Sequence, residues 1–262
     1  MKKDRLKIGY FLPTTGFGGT ELHTFSLITY LISQGYDVTL IFPVSSETSR
    51  VISWCNDNSI AYIDCDFAYP GGRQNKTVVG DIQLQLLSKT IGETRFDFAY
   101  VAAPSPIVLF GILGYLKQRD IPTICIFHLV HPSSTFSKKE RDFFKLSYFR
   151  RLKYVAVGVF TKDVMVDVLG IPKDLIKVIN NGVQIDKALS TNYTLRKQLG
   201  LREDEKIVYT FGRLHQQKSM DVLLEAIPEV LVSEPNTHFV WAGEGELDTS
   251  LRSRAKALGV WS

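Results

Sequence analysis

Short apolar runs rich in Ile, Val, Tyr and Phe recur along the chain, and between them lie segments whose apolar residues return every three or four positions. The runs predict strands at Lys7–Leu12, Asp37–Phe42, Ala61–Asp64, Phe98–Ala102, Thr123–Phe127, Tyr154–Val157 and Lys177–Ile179. The periodic segments predict helices at Thr20–Ser33, Thr48–Asn58, Val78–Ile91, Pro106–Arg119, Ser137–Leu152 and Lys162–Leu169. The strands are nearly all apolar rather than alternating, as expected for strands covered on both faces. Alternation of strand and helix predicts an α/β fold with a parallel, doubly wound sheet.

After NNGVQIDKA the texture changes. STNYTLRKQLGLREDEK is polar and charged, a linker with a short helix. Alternation then restarts with the strand IVYTFG, a helix over Met220–Val232, the strand THFVWAG and a helix over Leu247–Leu258. Residues 1–188 therefore form a first Rossmann-like domain and residues 189–262 a second. Two strands and two helices make a small core for this layered architecture, so the second domain is expected to be incomplete.

Composition narrows the function classes. A chain of 262 residues accommodates two domains of ordinary size. The net charge of +4 permits attraction to phosphates or to an anionic membrane face, but it is far from that of a dedicated nucleic-acid binder. No nucleic-acid partner is expected. Cys55, Cys65 and Cys125 are odd in number and form no CxxC pair, which points to a reduced, cytoplasmic chain. The apolar stretch after MKKDRLK is too short for a secretion signal. Pro104 and Pro106 make Val101–Leu116 read as a strand running into a helix rather than as a membrane span.

TTGFGGTE sits between the first strand and the first helix. A strand, a glycine turn and a helix N-terminus together make an anion site, because backbone N–H groups point outward and the helix dipole adds positive potential. Glycine also suits any tight elbow, so both readings stand on these residues alone. GFGGTE is neither GxxxxGK[ST] nor GxGxxG, and no acidic residue follows the second strand to hold ribose hydroxyls. A nicotinamide enzyme is thereby the weaker alternative. In the second half, Arg213 follows a strand and a glycine, and Lys218 precedes a helix. Two cations so spaced beside a helix N-terminus suit a diphosphate, although a solvated basic loop has the same pattern.

At these residues the chain resembles the retaining GT-B glycosyltransferases of family 4, the glycosyl transferases group 1. The resemblance spans essentially the whole chain. The family's GGxE elbow is matched by Gly18-Gly19-Thr20-Glu21, and its LAxxLxxxGHxVxV segment by ITYLISQGYDVTLI. A histidine after an apolar strand is matched by His128. The NGVD turn is matched by Asn181-Gly182-Val183, with Asp186 displaced by Gln184-Ile185. GRLxxxKGxxxLLxA is matched by Gly212-Arg213-Leu214, Lys218, Leu223-Leu224 and Ala226, and GxGxxxxxL by Gly243, Gly245 and Leu251.

The resemblance implies a GT-B architecture of two facing Rossmann-like domains. It implies transfer of a sugar from a nucleotide-diphosphate donor to a glycan, lipid-linked or small-molecule acceptor, with retention of anomeric configuration. Arg213 and Lys218 are implied to bind the departing diphosphate, with help from the backbone of Gly18 and Gly19, and His128 to lie near the donor sugar as the catalytic residue. No cofactor or metal is implied. Ser219 departs from the family's glycine, and a serine there is expected to cap the following helix. Gly158 stands where the family often has serine. The family's EGFGLPxxEA segment, which contacts the donor, is not among these residues, so the chain by itself is expected to show negligible transfer. A non-catalytic binding module of the same fold is the alternative.

SKKERDFFKLSYFRRLKYV is basic, with Phe143, Phe144, Tyr148 and Phe149 interleaved. It fits first a helix with inward aromatics and solvated charges, with an interfacial helix making peripheral contact with anionic lipid at the inner face of the membrane as the alternative.

Overall fold

A computed structural model describes residues 5–67, 76–146, 151–182 and 195–261. The chain divides into two compact units, residues 1–183 and 184–262. The boundary expected between residues 188 and 189 falls outside the described residues, as do Val183 and Asp186 of the expected turn.

The first unit is a sheet of seven parallel strands in the order β3-β2-β1-β4-β5-β6-β7. The strands are β1 (Lys7–Phe11), β2 (Asp37–Phe42), β3 (Ala61–Asp64), β4 (Phe98–Ala103), β5 (Thr123–Phe127), β6 (Leu152–Ala156) and β7 (Ile176–Val178). Helices α1 (Gly19–Ser33), α2 (Ser49–Asp57), α3 (Lys76–Ile91), α4 (Leu109–Gln118), α5 (Lys138–Leu146) and α6 (Val159–Val164) connect them. Successive side chains of a strand point to opposite faces. Tyr10 and Leu12 accordingly join one core with Ile28 and Leu31 of α1 and Val51 of α2, while Phe11 joins the other with Leu113 and Tyr115 of α4. Burial on both faces accounts for the apolar runs. The strand order reverses between β1 and β4, and it is at the carboxyl ends of the strands beside such a reversal that open α/β sheets bind ligands.

Three elements differ from the sequence reading. The helix expected at Pro106–Arg119 begins with a 3-10 turn, Pro106–Val108, before α4. Pro106 suits a first turn, where its missing N–H is no loss, and Ser105 Oγ accepts from the Ile107 N–H at 3.5 Å. The helix expected at Lys162–Leu169 starts at Val159 and ends in a π-helical turn, Met165–Leu169, closed by Gly170 at φ 68°. The helix expected to reach Leu152 is described only to Leu146, and Leu152 instead opens β6, paired in register with Thr123. Leu152, Tyr154 and Ala156 are wholly buried in one core, a period-two demand that overrides the helical pattern before them.

In the second unit β8 (Lys206–Phe211) pairs in parallel with β9 (Thr237–Ala242). Its helices are α7 (Leu195–Gln198), α8 (Met220–Ser233) and α9 (Asp248–Ala257). A small core of Leu214, Met220, Leu224, Ile227, Leu251 and Ala255 joins α8 and α9 to the strand ends. Tyr209 and Phe211 of β8 remain exposed, Phe211 at 77%. The three cysteines are free and buried, and burial pushes the Cys55 and Cys65 thiols up to about 11.

Candidate functional site

The elbow after β1 lies at the carboxyl edge of the sheet, beside the reversal between β1 and β4. Gly18 is extended, at φ −169°, and neither Gly16 nor Gly19 has a positive φ. A Cβ added at Gly16 or Gly19 would meet nothing within 4 Å, and one at Gly18 only the Glu21 carboxylate at 3.7 Å. Neither turn geometry nor packing therefore requires glycine here. What the missing side chains leave is unobstructed approach to the backbone at the start of a 15-residue helix, whose first N–H groups have no partner within the helix. Glu21 is buried, and its Oε2 accepts from the Gly18 N–H at 2.6 Å. That carboxylate serves the first turn of α1 and leaves the Gly19 end of the elbow as its open part.

His128 follows β5, and its backbone N–H donates to Ala103 O at the end of β4. Its ring meets that of His23, one turn into α1, with ring centroids 4.8 Å apart and planes at 67°. Burial, and then His23, pushes the His128 imidazole down to about 4. Burial likewise lowers His23. Nδ1 of His23 and Nε2 of His128 are both buried, with no hydrogen-bond partner among the described residues. Burial thus favours the neutral form of both rings. The elbow and His128, far apart in sequence, are linked through His23, which the sequence reading passed over. Its signal was its place in GGTELH, a single helical turn beyond the glycines. His131, in the same loop as His128, is exposed, and its Nδ1 lies 2.6 Å from Ser133 Oγ.

In the second unit Arg213 follows β8, and Lys218 ends a 3-10 turn, Gln216–Lys218, ahead of α8. Both are exposed. The Lys218 stem passes 3.9 Å from where a Gly212 Cβ would stand. Arg202, Arg252 and Arg254 in the same unit are held by carboxylates, whereas no ion pair engages Arg213 or Lys218 among the described residues. The loop carrying Arg213 is pinned from beneath. Gly212 N–H donates to Ala242 O at 3.0 Å and Leu214 N–H to Glu244 O at 2.9 Å. A Cβ at Gly243 would stand 1.9 Å from Gly212 O, and one at Gly245 2.2 Å from Leu214 O. The two glycines of GEGE are thus required by close backbone approach, and they fix the position from which Arg213 projects.

Ser219 stands at the N-cap of α8 but does not cap it. Its side chain makes no cap hydrogen bond, and its backbone is left-handed, at φ 51° and ψ 39°. The expected serine cap is thereby corrected: a cap residue needs extended backbone to aim its oxygen at the helix N–H groups. The conformation is one that glycine adopts without penalty, at a cost of about 1–2 kcal/mol for other residues. Ser219→Gly should therefore stabilise the second unit by roughly 1 kcal/mol, less the added entropy of the unfolded chain, read as a higher midpoint in chemical denaturation.

In the basic aromatic stretch, Phe144 is fully buried against Phe110 and Phe136, and Phe143 packs on Phe110 with ring centroids 4.7 Å apart. Lys138, Lys139, Arg141 and Lys145 are exposed. Tyr148, Phe149 and Arg150 lie outside the described residues. Among those described, no helix is long and apolar enough to cross a membrane, and no group of three or more His, Cys, Asp or Glu could hold a metal ion.

Residues 17–187 match the model of Glycosyltransferase Family 4, and residues 192–262 that of the Glycosyl transferases group 1. An alpha-monoglucosyldiacylglycerol synthase of Acholeplasma laidlawii is 31% identical over 92% of this chain, which spans 64% of that protein. Among solved structures, a glycosyltransferase from Rickettsia africae superposes with a TM-score of 0.75 at 18% identity, over 98% of this chain and 66% of its own. Anabaena Alr3699/HepE, solved in complex with UDP and glucose, superposes with a TM-score of 0.69 at 17% identity, over 98% of this chain and 67% of its own. These likenesses give the fold, the GT-B type. With residues 17–187 matching its model, the chain belongs to Glycosyltransferase Family 4.

Proposed function

We propose that the protein belongs to a glycosyltransferase that moves a sugar from a uridine-diphosphate donor to a lipid-linked hydroxyl, with retention of anomeric configuration and without a metal ion. The observation that carries this reading is the exposed couple of Arg213 and Lys218, free of ion pairs among the described residues, on a loop pinned by the strand-end glycines. In the reaction the bond from the anomeric carbon to the diphosphate oxygen breaks, and its electron pair stays with the diphosphate. The acceptor oxygen bonds to the anomeric carbon, and the hydroxyl proton leaves with the departing phosphate or with water. Negative charge grows on the leaving group, so two fixed cations favour the transition state over the bound donor. A guanidinium offers paired donors to a phosphate, while an ammonium acts as a point charge.

In the first unit, the open elbow at Gly18 and Gly19 offers backbone N–H groups and helix-dipole potential to an anionic oxygen. His128 would act at the donor sugar. Because its ring is neutral there, it can accept or donate a hydrogen bond without placing a full positive charge beside an anomeric carbon that itself becomes cationic. The choice of UDP is supported by the ligands of Alr3699/HepE, and a lipid-linked acceptor by the name of the Acholeplasma relative. A glycan or small-molecule acceptor is the second reading.

The test is release of UDP from UDP-sugars by the full-length protein, with EDTA present and absent. Donor-dependent release insensitive to EDTA supports the proposal. Release that requires added Mg²⁺ or Mn²⁺ overturns its metal-free part. The buried aromatics of α5 make any membrane contact electrostatic rather than insertional, through Lys138, Lys139, Arg141 and Lys145. Anionic vesicles should retain the protein at low salt and release it at about 0.5 M salt, where the screening length falls to several ångströms. Retention that survives high salt contradicts this mode of contact.

A further inference from the structure

Two buried ring nitrogens without partners among the described residues, on histidines that touch each other, call for an explanation. A buried polar atom left unsatisfied is costly, and in a native structure it calls for an explanation in strain, in a catalytic role or in a bound water or ion. His23 projects from the second turn of α1 and His128 from the end of β5, and one ring presents its edge to the face of the other at 4.8 Å between centroids. That arrangement places the positive edge of one ring over the electron-rich face of its neighbour, and it fixes the plane of both. His23 is also carried by the helix whose first residue is Gly19, so the elbow and the His128 ring share one rigid support.

We propose that His23 is a positioning residue for His128: its ring sets the plane and tautomer of the His128 imidazole, which then stands ready to hydrogen-bond a hydroxyl of the sugar. The part concerning sugar rests on the function proposed above, while the part concerning the two rings does not. Burial first, and contact with His23 second, disfavour the charged form of His128. Two imidazolium ions in contact repel, so whichever ring holds a proton disfavours a second one on its partner. Other groups do not replace this effect among the described residues. On α1 the Glu21 carboxylate is directed at the Gly18 N–H, and Tyr10 of β1 is paired with Thr24, Oγ1 to OH, at 3.4 Å. In the loop after β5, His131 is bonded to Ser133. The flanking ends of β4 and β6 offer only Ala103, Ala156 and Val157. Among the described residues, burial and then His23 lower His128.

The experiment follows the imidazole nitrogens by NMR in the full-length protein labelled with 15N-histidine, from pH 4 to pH 8, for wild type, His23→Phe and His23→Gln. The phenylalanine keeps an aromatic edge and removes both nitrogens; the glutamine keeps polarity and removes the ring, and it provides a second folded comparison. Wild-type His128 should remain neutral and in one tautomer down to about pH 4. In His23→Phe its titration should move upward, toward the ordinary histidine range, and its tautomers should mix. In a transfer assay kcat should fall roughly tenfold or more with little change in KM, as expected when a reacting-site group is misoriented. The acid limb of the rate profile should move to higher pH in parallel. Identical titration and tautomer in wild type and both variants would overturn the proposal, whatever the transfer rate. An altered titration with no transfer from any donor, even in wild type, would uphold the coupling of the rings and sink the proposed function instead.

Discussion

Arg213→Ala and Lys218→Ala are each expected to reduce sugar transfer by roughly a hundred- to a thousandfold, the range found when one preorganised charge-stabilising donor is removed from a reacting site. The thermal midpoint should hardly move. Both side chains are exposed and make no ion pair among the described residues, and substitutions at such positions ordinarily change stability by less than about 0.5 kcal/mol. The loss should appear mainly in kcat, because the charge to be stabilised is greater in the transition state than in the bound donor. Lys218→Arg keeps the charge but changes its shape, and it should recover part of the rate. Arg213→Lys should recover less, since an ammonium cannot grip a phosphate with paired donors. Near-normal transfer in both alanine variants would remove the diphosphate role from this pair.

At the elbow, stability and activity should move in opposite directions. Gly19→Ala places a better helix former at the first residue of α1, where an added Cβ meets nothing within 4 Å. The midpoint should rise slightly, by an amount on the order of 0.5–1 kcal/mol at most. Gly19→Leu fills the same open space with a side chain over the exposed N–H groups, and transfer should fall about a hundredfold while the fold persists. An elbow that existed only to turn the chain would behave otherwise. Leucine there would then be harmless to the reaction, and full activity in Gly19→Leu would return the glycines to the role of a plain connection.

The sheet was legible because its strands are buried on both faces, and continuous apolar runs such as TICIF and DVTLIF have no other use in a chain of this composition. The ends of helices were less so. The π-helical turn at Met165–Leu169 and the 3-10 turn at Pro106–Val108 share the apolar spacing of an ordinary helix, and only the hydrogen bonding separates them. The motif residues stand at the strand ends of their own units: Gly18 and Gly19 after β1 and His128 after β5 in the first, Arg213 and Lys218 after β8 in the second. Ser219 was misread because serine before a helix ordinarily caps it, and the left-handed backbone that prevents this is set by the turn preceding it. His23 was missed for a different reason. Its place one helical turn beyond the glycines of GGTELH does not by itself separate a site residue from a helix residue, and its contact with His128 arises only when β5 is placed two strands from β1. In the stretch from Lys138, the sequence left two readings of the aromatics open, and Phe143 and Phe144 pack inward.

The central claim is that this family member is part of a retaining sugar transferase using a uridine-diphosphate donor. It is tested most directly by incubating the full-length protein in EDTA with a panel of UDP-sugars, UDP-glucose among them, and lipid acceptors in vesicles, and following the anomeric proton of the product by NMR. Stoichiometric UDP and a glycolipid whose anomeric proton shows the configuration of the donor sugar, a small α coupling where UDP-glucose is the donor, are the predicted result. A β-linked product would contradict retention, and a folded full-length protein that releases no UDP from a panel of UDP-sugars would contradict the proposed activity itself.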